Sequence, residues 1–209
     1  MSEIGEKLPP GGIAVPEFPW DPWHPREVAD RLVGVRAPWC VAAGWALDLF
    51  RGMTTRVHED IEIAIPTDRF EEIRRALSGF EFDVVGSGHI WPLDHEAFDV
   101  MHQTWVRDPT TQTYHLDVFR EPSDGDVWVC RRDETIRRPY AEVIRTTEDG
   151  IPYMAPDLVL LFKAKHDRPK DNADFAGVLP LLDTSQRRWL TSALERVHPG
   201  HRWLGDLRA

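Results

Sequence analysis

The chain has 209 residues, of which 42% are hydrophobic and 29% charged, and its formal net charge is −10. This composition is typical of a soluble globular protein with one large domain or two small ones. The negative net charge disfavours a nucleic-acid-binding function, because contact with a polyphosphate backbone requires a basic face. The charge has the sign that suits a cationic small molecule, although acidity also serves solubility alone.

No apolar run approaches the roughly 18–20 residues that span a bilayer, and residues 1–12 have neither the basic start nor the apolar centre of a signal peptide. We therefore expect a cytoplasmic protein. The two cysteines, Cys40 and Cys130, lie in apolar runs and have no metal-ligand spacing, which indicates buried thiols rather than a disulfide.

Residues 1–25 are rich in proline and predict an irregular arm. Its aromatic side chains, Phe18, Trp20 and Trp23, either pack on the body of the protein or line a pocket. Apolar residues at helical spacing follow over residues 26–35.

A short apolar strand over residues 39–43 leads into a helix over residues 45–50 that ends at Gly52. Gly44 lies at the start of this helix. Free backbone N–H groups and the absence of a side chain would allow a phosphate group to approach closely there.

The sequence from Asp60 to Ile65 alternates acidic or small residues with isoleucines, which predicts a strand with one face in the core. Asp60 and Glu62 therefore project from the other face. Two adjacent carboxylates need a counter-charge, and hard oxygen ligands of this kind suit Mg²⁺.

The next predicted elements are a helix from Thr67 to Gly79 and three strands, at residues 80–85, 114–119 and 126–130. A turn at Gly125 predicts that the last two strands form a hairpin. The pattern over residues 95–113 assigns no element.

Asp117 lies on the strand face opposite Tyr114, Leu116 and Val118, so it would project beside Asp60 and Glu62 if the strands are neighbours. We choose it as the third carboxylate of the site. Asp94 and Asp99 are its competitors, and an exposed strand aspartate without a role is the other interpretation.

Residues 131–154 contain four arginines that either steady phosphates or form surface pairs: Arg131, Arg132, Arg137 and Arg138. From residue 155 onward the pattern is helical. On the first of these helices Leu158, Leu161 and Phe162 share the apolar face, which predicts that Lys163 and Lys165 are exposed. Three lysines are candidates for binding nucleotide phosphates, or else pair with Asp167, Asp171 or Asp174: Lys163, Lys165 and Lys170.

A glycine at a helix start, followed sixteen residues later by the D-h-E of Asp60 to Glu62, resembles the nucleotidyltransferase superfamily that includes DNA polymerase beta. Within it, GWALDLFRGMTTRVHEDIEIAI is most similar to the aminoglycoside 2''-adenylyltransferases and the lincosamide nucleotidyltransferases, whose members carry GGWALD and TREHEDIDI. RRDETIRRP and YMAPDLVLLFKAKHDRPKDNADF also resemble segments of that group. Two positions depart from the family pattern: Ala43 replaces the first glycine of the pair, and Glu62 replaces the second aspartate.

The resemblance implies an α/β (α+β) fold, with a nucleotidyltransferase-type mixed sheet, flanking helices and a C-terminal helical subdomain. We expect an arm at residues 1–25, the nucleotidyltransferase domain at 26–154 and the helical subdomain at 155–209.

The implied reaction is the transfer of AMP from ATP to a hydroxyl of a small molecule, expected to be a cationic, aminoglycoside-type antibiotic. Asp60, Glu62 and Asp117 would bind two Mg²⁺ ions, and Asp117 would also be the general base. The residues expected at the nucleotide are Ala43, Gly44, Trp45, Arg56, Lys163, Lys165 and Lys170. Two alternatives are an antitoxin-like nucleotidyltransferase that modifies a protein and an inactive homologue that only binds nucleotide or antibiotic.

Overall fold

The protein is described by a computed structural model that covers residues 8–17, 19–166 and 168–209. The expectations for residues 1–7, Phe18 and Asp167 lie outside the described residues. Within the covered ranges, no helix is both long and apolar enough to cross a lipid bilayer.

Strands and helices alternate along the chain, so the predicted α+β class is confirmed. The strands are β1 (Ile13–Ala14), β2 (Cys40–Val41), β3 (Glu62–Pro66), β4 (Glu81–Gly86), β5 (His89–Pro92), β6 (Gln103–Arg107), β7 (Tyr114–Glu121), β8 (Ser123–Asp124), β9 (Val127–Val129), β10 (Arg137–Pro139), β11 (Ile144–Thr146) and β12 (Pro152–Met154). The α-helices are α1 (Pro25–Arg31), α2 (Ala43–Arg51), α3 (Phe70–Ala76), α4 (Ala97–Val100), α5 (Tyr140–Val143), α6 (Pro156–Lys163), α7 (Pro169–Val178), α8 (Thr184–Val197) and α9 (Trp203–Arg208).

In the described part of the chain, nine strands form one mixed sheet in the order β1-β5-β4-β6-β7-β3-β2-β12-β11, and β10-β9-β8 form a smaller sheet. At the centre, β3 pairs antiparallel with β2 and parallel with β7. The parallel register places Glu62 opposite Asp117. Asp60 was expected inside this strand, but β3 begins at Glu62, and Asp60 is an exposed residue just before it.

The two faces of the large sheet contact different helices. On one face, Ile61, Ile63 and Ile65 are almost completely buried with the apolar residues of α1 and α3. Each such isoleucine contributes about 1.5–3 kcal/mol of burial free energy. The other face, which carries Glu62 and Ala64, is covered by α2 and the C-terminal helices. Alternation along one strand therefore separates the core from the face that holds the acidic residues.

The N-terminal arm packs on the body of the protein. β1 pairs with β5, and the backbone N–H of Tyr114 donates to the carbonyl of Pro19 at 3.0 Å. The Trp20 ring contacts the Trp105 ring edge-on at 5.1 Å, and Trp23 is buried. Trp20 and Trp23 therefore pack on the body of the protein rather than line a pocket.

Two strand predictions need correction. Residues 95–113, to which the pattern assigned no element, contain α4 and β6, the neighbour of β7. The turn at Gly125 joins β9 to β8 rather than to β7. β7 runs to Glu121, where Pro122 lacks the N–H needed to continue a ladder, so the chain leaves the large sheet there.

The C-terminal helices share one core with α2. Leu47 of α2, Leu158 of α6 and Leu190 of α8 belong to the same buried cluster, and the Phe175 ring stacks on Trp203 at 4.3 Å. The division into a domain at 26–154 and a subdomain at 155–209 stays a prediction.

The departure at Ala43 has a structural consequence that can be tested. Ala43 opens α2 with φ of +46°, a left-handed conformation that costs a residue with a Cβ about 1–2 kcal/mol. We expect Ala43→Gly to stabilise the protein by about 0.5–1 kcal/mol in urea unfolding, after the greater flexibility of the unfolded glycine is subtracted.

The matched control is Ala46→Gly, a buried position inside the same helix. It should lose about 1 kcal/mol or more, because helical φ favours alanine and a buried methyl is removed. Equal destabilisation by both variants would contradict the interpretation of Ala43.

Candidate active site

Two carboxylates meet on neighbouring strands. Glu62 of β3 and Asp117 of β7 are register partners, and Asp60 lies two residues before Glu62, the first residue of β3. Asp117 is 5% exposed, and the Nε2 of Gln103 on β6 donates to its Oδ2 at 2.7 Å. Its Oδ1 is buried and has no hydrogen-bond partner.

The two competitors for the third carboxylate lie elsewhere. Asp94 and Asp99 are exposed residues of the segment around α4, and neither is a register partner of Glu62. The topology therefore brings Asp117 alone of the three candidates beside Glu62.

Burial, and to a lesser extent neighbouring carboxylates, raises the pKa of Glu62 and of Asp117. Burial raises the pKa of Glu62 to about 8, with contributions from Asp60 and Asp117. Burial likewise raises the pKa of Asp117 to about 7; the hydrogen bond from Gln103 opposes this rise and the charge of Asp60 adds to it. Lys163 and Arg56 oppose the rise at Glu62, and Arg131 opposes it at Asp117, but these cations do not offset the effect of burial.

A hard divalent cation fits this arrangement. In the part of the chain that is described, no three His, Cys, Asp or Glu side chains form a group that could hold a metal ion, so Asp60, Glu62 and Asp117 do not make a protein-only metal site. Mg²⁺ does not need one, because it retains waters and shares ligands with substrate phosphates. The unpartnered Oδ1 of Asp117 and the raised pKa values of both carboxyls are the features that a cation would satisfy.

The start of α2 lies directly beside these acids. The backbone N–H of Ala42 donates to the carbonyl of Glu62 at 2.8 Å, which fixes the helix start against β3. Gly44 is buried, and a Cβ built on it would lie 2.2 Å from Nη2 of Arg56. The glycine therefore leaves room for a guanidinium group over free backbone N–H donors, a suitable place for phosphate.

A buried hydrogen-bond network anchors the loop between α2 and β3. Asp48 is 4% exposed and accepts hydrogen bonds from the backbone N–H of Thr55 at 3.0 Å and from its hydroxyl at 2.6 Å. The Nε2 of His58 lies 2.7 Å from Asp48, and Trp45 stacks on the His58 ring at 4.2 Å. Burial alone would raise the pKa of Asp48, but these hydrogen bonds hold it below its ordinary value.

This network determines the positions of Arg56 and Asp60, two of the predicted site residues. It fixes the loop that carries Arg56 towards Gly44 and Asp60 towards Glu62. Trp45, expected at the nucleotide, instead lines a second cavity between α2 and the β11–β12 turn, where it supports His58 from behind.

Lys163 is buried, contrary to the expectation of an exposed helix position. It is 8% exposed, and its Nζ lies 3.2 Å from Asp171 and 2.8 Å from Asp174. Arg56 reaches Asp174 at 3.8 Å, and Arg168 reaches Asp171 at 2.7 Å. The α6–α7 contact turns the side chain inward, because two buried aspartates there require cations.

The four arginines after β9 have different environments. Arg137 forms an exposed pair with Asp124, as the surface interpretation predicts. Arg138 does not follow that interpretation, since it forms a buried pair with Asp157. Arg131 pairs with Glu121 of β7, while Arg132 donates to the carbonyls at residues 161 and 162 at 3.1 and 3.0 Å.

These elements enclose a single cleft. It is lined by Ala42, Ala43, Gly44, Arg56, Asp60, Glu62, Phe119, Glu121, Arg131, Arg132, Met154, Val159, Phe162, Lys163, His166, Arg168 and Lys170. Of the residues expected at the nucleotide, Trp45 and Lys165 do not line it, and the buried Asp117 lies behind its surface beside Glu62.

Sequence reasoning did not select Phe119, Glu121 or Arg168. The strand alternation that selected Asp117 also places Phe119 and Glu121 on its face. Arg168 lies in the RPK segment beside Lys170.

Comparison with known proteins gives a consistent result. Residues 26–121, a little under half of the chain, match the model of the aminoglycoside-2''-adenylyltransferase family. No curated protein sequence matches the chain.

Solved structures with the same fold are similar over most of their length. The lincosamide antibiotic adenylyltransferase LnuA, bound to lincomycin, has 16% identity, covers 75% of this chain and 95% of its own, and gives a TM-score of 0.52. ANT(2'')-Ia in complex with adenylyl-2''-tobramycin has 13% identity, with coverage of 81% and 97% and a TM-score of 0.53. The solution structure of ANT(2'')-Ia has 12% identity, with coverage of 81% and 90% and a TM-score of 0.53.

The raised pKa values predict how stability depends on pH. The folded protein holds more protons than the unfolded chain between about pH 4 and pH 8, because Glu62 and Asp117 rise from 4.5 and 3.8 to about 8 and 7. Their contribution is complete below about pH 4 and is lost as pH rises through 8. We expect metal-free protein to lose on the order of a few kcal/mol between pH 5 and pH 8 in urea unfolding.

Added Mg²⁺ should stabilise the protein more at pH 8 than at pH 5, since metal and protons compete for the same oxygens. The Asp117→Asn variant should show a shallower pH dependence. A wild-type slope of the opposite sign, or one that Asp117→Asn leaves unchanged, would contradict the electrostatic account.

The Asp48 network predicts a local effect of substitution. In Asp48→Asn, the NH₂ group of the new amide cannot accept the hydrogen bonds that one carboxylate oxygen accepts now. We therefore expect the free energy of unfolding to fall by about 1–3 kcal/mol. Hydrogen exchange should accelerate at Thr55 and its neighbours in the loop.

Asp157→Asn is the matched control, because Asp157 is also buried but pairs with Arg138 rather than with the loop. It should lower global stability without faster local exchange at Thr55. If both variants change only global stability, Asp48 does not position the loop.

Proposed function

We propose that this chain is a nucleotidyltransferase that transfers AMP from ATP to a hydroxyl group of a small molecule, because it is similar to the aminoglycoside and lincosamide adenylyltransferases. The observation that carries the proposal is the juxtaposition of Glu62 and Asp117 beside the glycine that begins α2. It combines an acidic pair suited to Mg²⁺ with a helix start suited to phosphate.

The proposal includes two Mg²⁺ ions, held by Asp60, Glu62 and Asp117. When bound, they would offset the negative charge of the triphosphate and lower the pKa of the acceptor hydroxyl. Asp60 is exposed just before β3, so a Mg²⁺ ion that arrives with the nucleotide could reach its carboxylate.

The other side of the site binds the phosphates. The N–H groups at the start of α2 and the Arg56 guanidinium would orient the triphosphate, and Gly44 leaves room for that guanidinium at the helix start. Lys163 is held in place by two aspartates, and Lys170 lies at the exposed rim of the cleft. Lys165 is also exposed. It stays a candidate only for attracting the nucleotide phosphates over a longer distance.

Asp117 is the proposed general base. It would accept the proton of the acceptor hydroxyl as that oxygen forms a bond to the α-phosphorus of ATP. The bond from this phosphorus to the bridging oxygen breaks, and pyrophosphate leaves with the electron pair. Gln103 fixes the carboxylate's orientation for this role.

The first acceptors to test are hydroxylated antibiotics, aminoglycosides before lincosamides, because the matching family model is an aminoglycoside adenylyltransferase. The structures of similar fold contain lincomycin and adenylyl-2''-tobramycin. A cytoplasmic location, where ATP and Mg²⁺ are present, belongs to the same proposal.

Pyrophosphate release with four nucleoside triphosphates and a panel of hydroxylated small molecules tests the function directly. We expect release with ATP and Mg²⁺ and none without an acceptor. Asp60→Asn should abolish transfer, and Asp117→Asn should lower kcat at least about 100-fold with little change in ATP affinity.

Asp94→Asn is the matched control, because this exposed aspartate lies outside the cleft. It should retain wild-type kcat. Turnover of Asp117→Asn near the wild-type rate would contradict its assignment as the base, and absence of release with every donor and acceptor would contradict the proposed function.

A further inference from the structure

Trp105 carries a buried hydrogen-bond donor that the site described above does not use. Its indole Nε1 is buried and has no hydrogen-bond partner among the residues that the structure describes. An indole N–H can only donate, and a buried donor without an acceptor costs free energy. An acceptor for this group is therefore expected close by.

The register of the large sheet brings a candidate acceptor next to it. Trp105 of β6 pairs with Asp117 of β7, which pairs in turn with Glu62 of β3. Residues directly opposite each other on antiparallel strands project from the same face, with Cβ atoms about 4.5–5.5 Å apart. The residues on either side of Trp105 in sequence, Thr104 and Val106, are completely buried. Trp105 therefore stands beside Asp117 on the face of the sheet that holds the acidic residues.

Asp117 has an oxygen that lacks a donor. The Nε2 of Gln103 donates to its Oδ2, whereas its Oδ1 is buried and has no partner within the described ranges. An acceptor without a donor and a donor without an acceptor thus lie on paired strands. Burial raises the pKa of Asp117, and the side chains of Gln103 and Trp105 both oppose that rise as hydrogen-bond donors. The indole N–H is therefore directed towards this carboxylate.

A second donor would change how firmly the carboxylate is held. With a hydrogen bond to Oδ2 alone, the group can still rotate about its bond to Cβ, and a general base must meet the hydroxyl in a fixed geometry. Donors on both oxygens fix the plane of the carboxylate. Each carboxylate oxygen accepts more than one hydrogen bond, so a donor on the strand side of Oδ1 leaves the cleft side open.

The N-terminal arm supports the Trp105 ring. The arm runs along the start of β7, where the backbone N–H of Asp21 donates to the carbonyl of Tyr114 at 3.0 Å. This pairing brings the Trp20 ring into edge-on contact with Trp105, at 5.1 Å between ring centroids. Trp20 also lies 5.5 Å from the Tyr114 ring. The arm therefore ends in an aromatic contact with the neighbour of Asp117.

Tyr114 supports the same ring from β7. Its ring is completely buried and meets Trp105 edge-on at 5.0 Å, and its hydroxyl donates to Oδ2 of Asp83 at 2.8 Å. Asp83 is the register partner of Trp105 on β4. Aromatic contacts of this kind favour particular ring orientations. The direction of the indole N–H is thus set by packing on several sides.

We propose that Trp105 is a positioning residue for the general base: its indole N–H donates to Oδ1 of Asp117, and Trp20 of the N-terminal arm holds the indole in place. This inference rests on the proposed function for the role of Asp117. It gives the arm a part in the reaction in addition to its packing on the sheet.

The hydrogen bond is tested first without turnover, by NMR of the metal-free full chain. The chain has nine tryptophans, and the indole N–H resonance that is missing from Trp105→Phe belongs to Trp105. In Asp117→Ala this resonance should move upfield, and its exchange with solvent should accelerate at least about tenfold, because the N–H loses its acceptor.

Trp128 is the internal control for this measurement. Its indole N–H is likewise buried and without a partner in the described part of the chain, but Trp128 lies on β9 in the smaller sheet. Its resonance should stay in place in Asp117→Ala.

Turnover then separates positioning from packing. Trp105→Phe keeps an aromatic ring but removes the donor, so kcat should fall about tenfold while the KM for ATP stays within about twofold. Trp20→Ala keeps the donor but removes its support, and should lower kcat about threefold. Trp128→Phe, the matched loss of a buried indole donor, should keep kcat within about twofold. Urea unfolding checks that each variant is folded.

The proposal is overturned by an unchanged Trp105 resonance in Asp117→Ala, by wild-type kcat in Trp105→Phe, or by a Trp105→Phe variant that raises only the KM for the acceptor. The last result would assign the indole to acceptor binding. If Trp105→Phe does not fold, Trp20→Ala and the resonance, assigned through the backbone, still decide. The proposed function fails separately: wild-type protein would then release no pyrophosphate, while the resonance would still report the contact with Asp117.

Discussion

The parallel pairing of β3 with β7 is the interaction on which the site depends. It brings residues 55 positions apart in sequence into direct register and sets Glu62 opposite Asp117. The other face of β3 carries Ile63 and Ile65 in the core, and Ile61, just before the strand, is buried with them. A slip of one residue would turn these isoleucines towards the cleft and the carboxylate into the core. The same burial that stabilises the sheet therefore fixes the acidic pair in position and holds the two charges close together.

The start of α2, where the phosphates are proposed to bind, is connected to Glu62 and Asp117 by hydrogen bonds between neighbouring segments rather than by packing between distant elements. The hydrogen bond from Ala42 to the Glu62 carbonyl fixes the start of α2 against β3. Asp48, one turn further along α2, holds the loop that returns to β3. The strand, helix, loop and second strand thus form one unit, and Ala43 adopts a left-handed conformation inside it where the related families have glycine. Strain of this kind is tolerated because the surrounding contacts determine the backbone.

The charge of the whole chain differs from the charge around the cleft. The surface as a whole is acidic, which favours solubility, while the cleft collects arginines and lysines from the loop before β3, the segment after β9, and the α6–α7 region. Buried acids fix some of these cations: Asp171 and Asp174 hold Lys163, and Glu121 holds Arg131. Such pairs orient the cations but neutralise only part of the charge, and Arg132 has a carbonyl rather than a carboxylate environment. The sign of the cleft is therefore a property of the folded arrangement.

The sequence by itself determined the local features: the alternation of β3, the glycine at the start of α2, the helical C-terminal third and the choice of Asp117 by its strand face. These follow from periodicity and spacing, which act over a few residues. Tertiary structure decided the rest. It placed β6 with Gln103 beside β7, ended β7 at Pro122, turned Lys163 inward and removed Trp45 from the cleft. Each of these depends on contacts between segments distant in sequence, which no local pattern encodes. The charge of the cleft belongs to the same class, since it is a sum over side chains that only the fold brings together.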